Sequence, residues 1–165
     1  MRVIKLGIIS LVFFAIFLTG LSLFFPSNVR ISKAVDIRTE KDSLLALLSN
    51  PVNWKKWYPG ADTADLLYVA GEVKGIITGE LSGLLMTSVT DSSVSAINAG
   101  TKSRKGESGW NIFPGGAPNT YTVQWYMDFH LRWYPWEKFS SLLLEKRYGA
   151  VMEKGLEQLK ASLEK

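Results

Sequence analysis

Asp128 and His130 are the residues whose types and spacing come nearest to a reactive pair. They stand at i and i+2 in a stretch of alternating polarity, so both side chains leave the same face of a strand. A carboxylate beside an imidazole can orient it and activate it as a general base. The same face carries Thr122, Gln124, Tyr126 and Arg132, the composition of a surface that meets water. The simpler outcome there is a set of exposed ion pairs with little energetic weight. No G-x-S-x-G nucleophile motif accompanies the pair, and the chain contains no cysteine. Thiolate catalysis, disulfides and Cys-ligated zinc are thereby excluded. His130 is the single histidine, too few for a His-based zinc centre. Glu72, Glu80 and Glu107 are isolated acids, and no EF-hand loop occurs. Gly115-Gly116 lacks the P-loop lysine and the dinucleotide fingerprint, and reads as a turn. No cofactor and no metal are expected.

The strand that carries the pair has the strongest pattern in the chain. From Tyr121 to Trp133 the odd positions are Tyr, Val, Trp, Met, Phe, Leu and Trp, and the even positions between them are mostly polar. That is period two, with one face on a core and one in water. At ~3.3 Å per residue the strand is roughly 43 Å long, so it must twist and bend. Pro135 ends it. A helix is predicted from Trp136, with an apolar stripe through Phe139, Leu143, Leu144, Tyr148, Met152, Leu156, Leu159 and Leu163 at intervals of three and four. Its length, roughly 42 Å at ~1.5 Å per residue, matches the strand. A helix lying along a curved antiparallel sheet satisfies both apolar faces. Gly149 and Gly155 interrupt the helix formers, and close packing on the sheet explains them better than space for a ligand.

Other elements precede these. Val29, Ile31, Val35 and Ile37 alternate with Arg30, Ser32, Asp36 and Arg38, a half-buried strand. Thr39 and Asp42 resemble a helix-start capping pair before the Leu44–Leu48 helix. Asn50-Pro51 starts a second short helix that holds Trp54 and Trp57 and stops at Pro59-Gly60. One of these tryptophans is expected to plug the core, the other to sit near a cavity mouth or the bilayer interface. Strands are predicted over Leu66–Val73, Ile76–Leu81, Leu84–Thr90, Val94–Ala99 and Trp110–Phe113, with a hairpin turn at Asp91-Ser92-Ser93 and a break over Gly115–Asn119. Gly100 to Gly109 is polar and predicts a mobile loop.

Leu6 to Phe25 holds no charge and no proline. Its twenty residues would span roughly 30 Å as a helix, the thickness of a bilayer core. A cleaved signal peptide would have a shorter apolar stretch and a small-residue cleavage site. An uncleaved anchor over residues 1–27 is therefore expected, with a domain from 28 to 165. Arg2 and Lys5 precede the span and Arg30, Lys33, Arg38 and Lys41 follow it; the short tail with its charges close to the helix favours a cytoplasmic N-terminus and a domain outside the cytoplasm. Lys+Arg number 19 against 15 Asp+Glu, net +4, too weak and dispersed for a nucleic-acid face. The run Lys102, Arg104, Lys105 reads as a solvated loop.

The order of elements, with L-L-S-N-P-V-N-W-K-K-W (Leu47–Trp57), G-W-N-I-F-P (Gly109–Pro114), T-V-Q-W-Y-M-D-F-H-L-R-W-Y-P-W-E-K-F (Thr122–Phe139) and G-L-E-Q-L-K (Gly155–Lys160), resembles the SRPBCC superfamily of START-like and polyketide-cyclase-like proteins, in particular bacterial members with one transmembrane segment. The resemblance implies an α+β helix-grip fold, a curved antiparallel sheet wrapped around a long C-terminal helix and preceded by one N-terminal transmembrane helix. It also implies a cavity between sheet and helix, lined by Val123, Trp125, Met127 and Phe129, with contributions from Trp110, Ile112, Tyr148 and Met152. Large apolar side chains at such spacings also serve simply as core. The resemblance leaves three functions open. One is a membrane-anchored module that binds a lipid or other hydrophobic small molecule. The others are a cyclase- or hydrolase-like enzyme acting on an apolar substrate, and an envelope protein-interaction domain.

Overall fold

An unbroken apolar run at one end and alternating strands behind it dictate the two parts of the chain. The computed structural model describes residues 2–79, 82–98 and 106–164. It begins with helix α1 (Arg2–Ser22). Over Val3–Ser22 this helix is long and apolar enough to cross a membrane, with mean hydropathy 2.3; most of its side chains are exposed, and only Ser22 at its end is buried. The regular helix stops before the apolar run does. The amides of Leu23, Phe24 and Phe25 reach back three residues, to the carbonyls of Gly20, Leu21 and Ser22, the tightened turn common at helix ends.

Strand β1 (Asn28–Arg38) follows. The other strands are β2 (Asp65–Val69), β3 (Glu72–Gly79), β4 (Ser82–Thr90), β5 (Ser93–Asn98), β6 (Gly106–Pro114) and β7 (Thr120–His130). They form one seven-stranded sheet in the order β1-β7-β6-β5-β4-β3-β2, antiparallel throughout. The long β7 pairs along its whole length with β1, from His130 opposite Asn28 to Thr120 opposite Arg38. Register shifts at Leu67/Tyr68, Ile77/Gly79 and Met86/Ser88 break the ladders between β2 and β5. Such bulges add twist and curl that half of the sheet.

Several boundaries differ from the sequence reading. The expected strand Leu66–Val73 is two strands, because Ala70 (φ 52°) and Gly71 (φ 84°) form a left-handed pair that turns the chain. Alanine is an unusual residue there, which is why the alternation reads straight across. Gly106–Gly109 belongs to β6, not to a loop, because it pairs with Tyr126–Phe129. The remainder of that stretch, with Lys102, Arg104 and Lys105, lies outside the described residues, as do Glu80, Leu81 and Ala99. β7 ends at His130 rather than Trp133 because β1, its partner, begins at Asn28; the next amide, Leu131, bonds to the Ser27 carbonyl at 2.7 Å.

Helix α2 (Lys41–Ser49) starts from Glu40 with no side-chain cap, so the Thr39/Asp42 pair does not cap it. The Thr39 amide is engaged instead by the Asn119 carbonyl at 2.8 Å. Helix α3 (Pro51–Trp54) is capped as expected: the Asn50 side chain accepts from the Val52 amide at 3.0 Å, with Pro51 in the first turn. It ends at Trp54, and Trp57 sits in the turns beyond. The C-terminal helix is also not continuous. Helix α4 (Pro135–Ser140) and a 3-10 turn (Ser141–Leu143) precede α5 (Leu144–Leu163). Trp136 and Leu143 leave the expected stripe and face outward. From Leu144 onward the pattern holds, and Leu144, Gly149, Met152, Gly155, Leu156 and Leu159 are buried as α5 lies across β1 and β7. A Cβ at Gly155 would stand 2.6 Å from the Trp125 ring and 2.8 Å from Pro59. Glycine there is a condition of helix–sheet contact, as the packing reading expects. The architecture is the α+β helix grip.

Candidate functional site between sheet and helix

The inner face of β7 points Val123, Trp125, Met127 and Phe129 toward α5. At its centre five rings converge. Trp110 of β6 and Trp125 of β7 stand opposite each other in register, with ring centroids 5.7 Å apart. Trp54 and Trp57 approach Trp110 at 5.4 Å each, and Tyr58 approaches Trp125 at 5.2 Å. Both tryptophans of the α3 region are thus core residues, and neither sits at a membrane interface. Burial pushes the Tyr58 phenol up to about 12. Tyr58 went unnoticed in the sequence; its adjacency to Trp57 was the available signal.

Indole N–H groups are donors that burial obliges to find acceptors. Trp54 donates to the Leu48 carbonyl at 2.8 Å, Trp57 to the Leu47 carbonyl at 3.4 Å, and Trp125 to the Ser108 hydroxyl at 3.0 Å. Trp110 Nε1 is different: it is fully buried and has no acceptor. An orphaned buried donor costs about 1–3 kcal/mol.

Ile112, Val123 and Met152 are buried with this cluster. Met127 and Tyr148 are half-buried, and Phe129 meets the Tyr148 ring at 5.0 Å. This end of the site lies next to the start of β1, where Val29 opposes Phe129 and Ile31 opposes Met127. A groove of about 310 Å3 opens at this edge of the sheet; Val29 and Phe129 of its lining belong to the inner face, and Asn28, Arg30, Asp128 and His130 to the outer one. Lys33 shares the inner face of β1. It extends past Gly149 to bridge Glu145 at 2.8 Å and Glu153 at 2.9 Å on α5, and these bonds hold its ammonium above the usual lysine range.

Asp128 and His130 lie on the opposite face. Asp128 accepts two bonds from Arg30, at 2.7 Å from Nε and 2.6 Å from Nη2, and they hold its carboxyl below the usual range. Arg30 in turn covers the Tyr126 ring at 4.7 Å, so this outer face is partly sheltered where the alternation suggested water. His130 is exposed at the strand end. The arrangement is an ion pair on the sheet exterior, as the simpler reading held. The inward positions of β7 are Tyr121, Val123, Trp125, Met127 and Phe129, with no carboxylate or imidazole among them. Among the described residues no group of three His, Asp or Glu side chains could hold a metal ion.

A curved antiparallel sheet gripping a long C-terminal helix over an apolar core is the architecture of the SRPBCC class of protein. Residues 28–164 match the family model described as polyketide cyclase / dehydrase and lipid transport, and the chain belongs to that family. Comparison with curated protein sequences finds no match. Solved structures share the fold at low identity. A START superfamily protein from Mycobacterium smegmatis aligns with TM-score 0.62 and 17% identity, over 82% of this chain and 97% of that one. The di-domain ARO/CYC StfQ from the steffimycin biosynthetic pathway aligns with TM-score 0.61 and 9% identity, over 83% of this chain and 51% of that one. A norcoclaurine synthase point mutant from Thalictrum, in complex with a transition-state analogue, aligns with TM-score 0.56 and 12% identity, over 80% and 94%.

Proposed function

We propose that this chain is a membrane-anchored binding module that holds a hydrophobic small molecule or lipid between β7 and α5. The observation that carries the reading is the Trp110 indole N–H, buried without an acceptor beside an otherwise apolar surface. A ligand with an apolar body and one acceptor oxygen would satisfy that donor and match the surface around it. The binding surface comprises Trp110, Ile112, Val123, Trp125, Met127, Phe129, Tyr148 and Met152. Trp125 and Phe129 are four residues apart on β7, roughly 13 Å, a length that suits an extended acyl chain. The segment 1–27, which contains helix α1, is the anchor, and the domain from residue 28 lies outside the cytoplasm, in keeping with Arg2 and Lys5 at the start of the chain.

The family also accommodates cyclase-like chemistry, and the norcoclaurine synthase shares the fold. The binding reading is favoured because Asp128 and His130, the pair that the sequence offers for catalysis, sit on the outer face. The test is a titration with oleate followed by indole 1H–15N NMR. The Trp110 resonance should move as its N–H gains an acceptor, while that of Trp125, already bonded to Ser108, should move less. Trp110→Phe should weaken oleate binding about fivefold or more, the effect of one lost hydrogen bond. Saturable binding that leaves the Trp110 N–H untouched would refute the assignment of this site.

A further inference from the structure

The four most exposed large apolar side chains described beyond residue 25 are Trp136 (68%), Leu142 (66%), Trp133 (64%) and Leu143 (64%), and all lie within one stretch of eleven residues. Scattered exposed apolar residues are ordinary on a soluble surface; a concentration of large ones marks a docking surface. Their arrangement is ordered. Tyr134 lies between the two tryptophans, with centroids 4.8 Å from each ring, stacked on Trp136 at 9°. The 3-10 turn after α4 turns Leu142 and Leu143 outward instead of onto the sheet.

What lies beside this patch identifies its occupant. The stretch is fixed to the end of α1. Phe139 packs edge-on against Phe25 at 5.2 Å. Lys138, only 4% exposed, donates its ammonium to the Phe25 carbonyl at 3.0 Å and the Ser27 hydroxyl at 2.7 Å. A cation at the carbonyl end of a helix is favourable electrostatically. The Leu131 amide closes the junction on the Ser27 carbonyl. The exposed Leu23 and Phe24, the last turn of the apolar run, adjoin the same junction. Arg132, also exposed, stands at the edge of the aromatic group, where a long basic side chain can reach lipid phosphates.

We infer that Trp133, Tyr134, Trp136, Leu142 and Leu143 form a second membrane contact, a foot that inserts at the headgroup–acyl boundary of the bilayer crossed by α1. This rests on the reading of α1 as an anchor. Tryptophan and tyrosine are favoured at that depth because the ring is apolar and its N–H or O–H stays wet. With α1 and the foot both engaged, and Lys138 joining them, the domain is held in one orientation.

The experiment uses the full chain in phosphatidylcholine vesicles whose acyl chains carry bromine, a short-range quencher of tryptophan fluorescence. Four of the six tryptophans are buried in the ring cluster, where a bound bromolipid would also quench, so the part of the quenching that the variant below loses reports on Trp133 and Trp136. Wild-type emission should fall in brominated relative to plain lipid. The W133F/W136F variant, which keeps apolar rings at exposed positions, should lose most of that fall. Flotation after a carbonate wash reads the anchor separately. Chain that floats while wild type and variant are quenched equally, or not at all, refutes the foot and leaves the anchor standing. Tryptophans at 133 and 136 shielded from both bromolipid and aqueous iodide would mean that a second protein covers the patch, which also refutes it. Chain that fails to float removes the anchor and the foot together.

Discussion

At the residue scale, the site depends on two glycines with opposite roles. At Gly155 a methyl group would meet a tryptophan ring and a proline held by the core. Gly155→Ala should therefore destabilise the fold by about 1–3 kcal/mol, the cost of overpacking. At Gly149 the nearest atoms are the ends of Lys33 and Glu145, both 3.2 Å away, flexible side chains that can shift by a few tenths of an ångström while keeping their exposed ion pair. Gly149→Ala should be neutral, or gain up to about 1 kcal/mol from helix propensity. Thermal melts of the two variants side by side check the contrast. Asp128 offers a different reading. Bonds from Arg30 depress its carboxyl from 3.8, so its contribution to stability is present above that value and lost as pH falls through the lower, folded value. Asp128→Asn should lower the melting temperature slightly at neutral pH and not at all in strong acid, because the Arg30 half of the pair stays open to solvent. Ligand binding should survive the change. If oleate affinity falls with Asp128→Asn or His130→Gln, the outer face has a role that the geometry does not give it.

At the element scale, what the sequence revealed follows the range of the interaction. β7 was readable because each residue of a strand between two partners alternates between core and exterior, so period two runs unbroken from Tyr121. α5 was readable from Leu144 for the same reason, at period 3.6. The split of β2 from β3 was hidden because Ala70-Gly71 carries no asparagine or aspartate signal. The break after α4 was hidden because apolar residues continue through it; they change partner, from sheet to exterior, without changing type. Contacts that join distant parts of the chain left no local trace. Lys138 reads as an ordinary surface lysine, yet it is buried against residues more than a hundred positions earlier. Lys138→Met would leave the Phe25 carbonyl without its charged donor and loosen the junction of α1 with the domain. Hydrogen exchange at the Leu131 amide, bonded to Ser27 at 2.7 Å, should speed up at least tenfold; unchanged protection would mean that Lys138 does not hold the junction.

At the scale of the whole molecule, the apolar features follow one another from the membrane-length helix to the sheet interior through local ring contacts. The membrane-length helix leads to the junction at Phe25, then to the exposed aromatic stretch, the half-buried Met127–Phe129–Tyr148 end and the ring cluster around Trp110. The candidate residues of β6, β7 and α5 were legible as one apolar set because strand and helix periods place them on facing surfaces. The ring cluster as such was not, because Trp54, Trp57 and Tyr58 arrive from turns, where no period applies. The central claim is that this surface holds an apolar ligand. Its most direct test is native mass spectrometry of the chain from residue 28 onward, purified without detergent, followed by organic extraction. The account predicts a stoichiometric hydrophobic species with at least one acceptor oxygen, lost or reduced in Trp110→Phe. A folded domain that is empty after purification and fails to take up oleate or phospholipid would contradict it, and would leave the ring cluster as core alone.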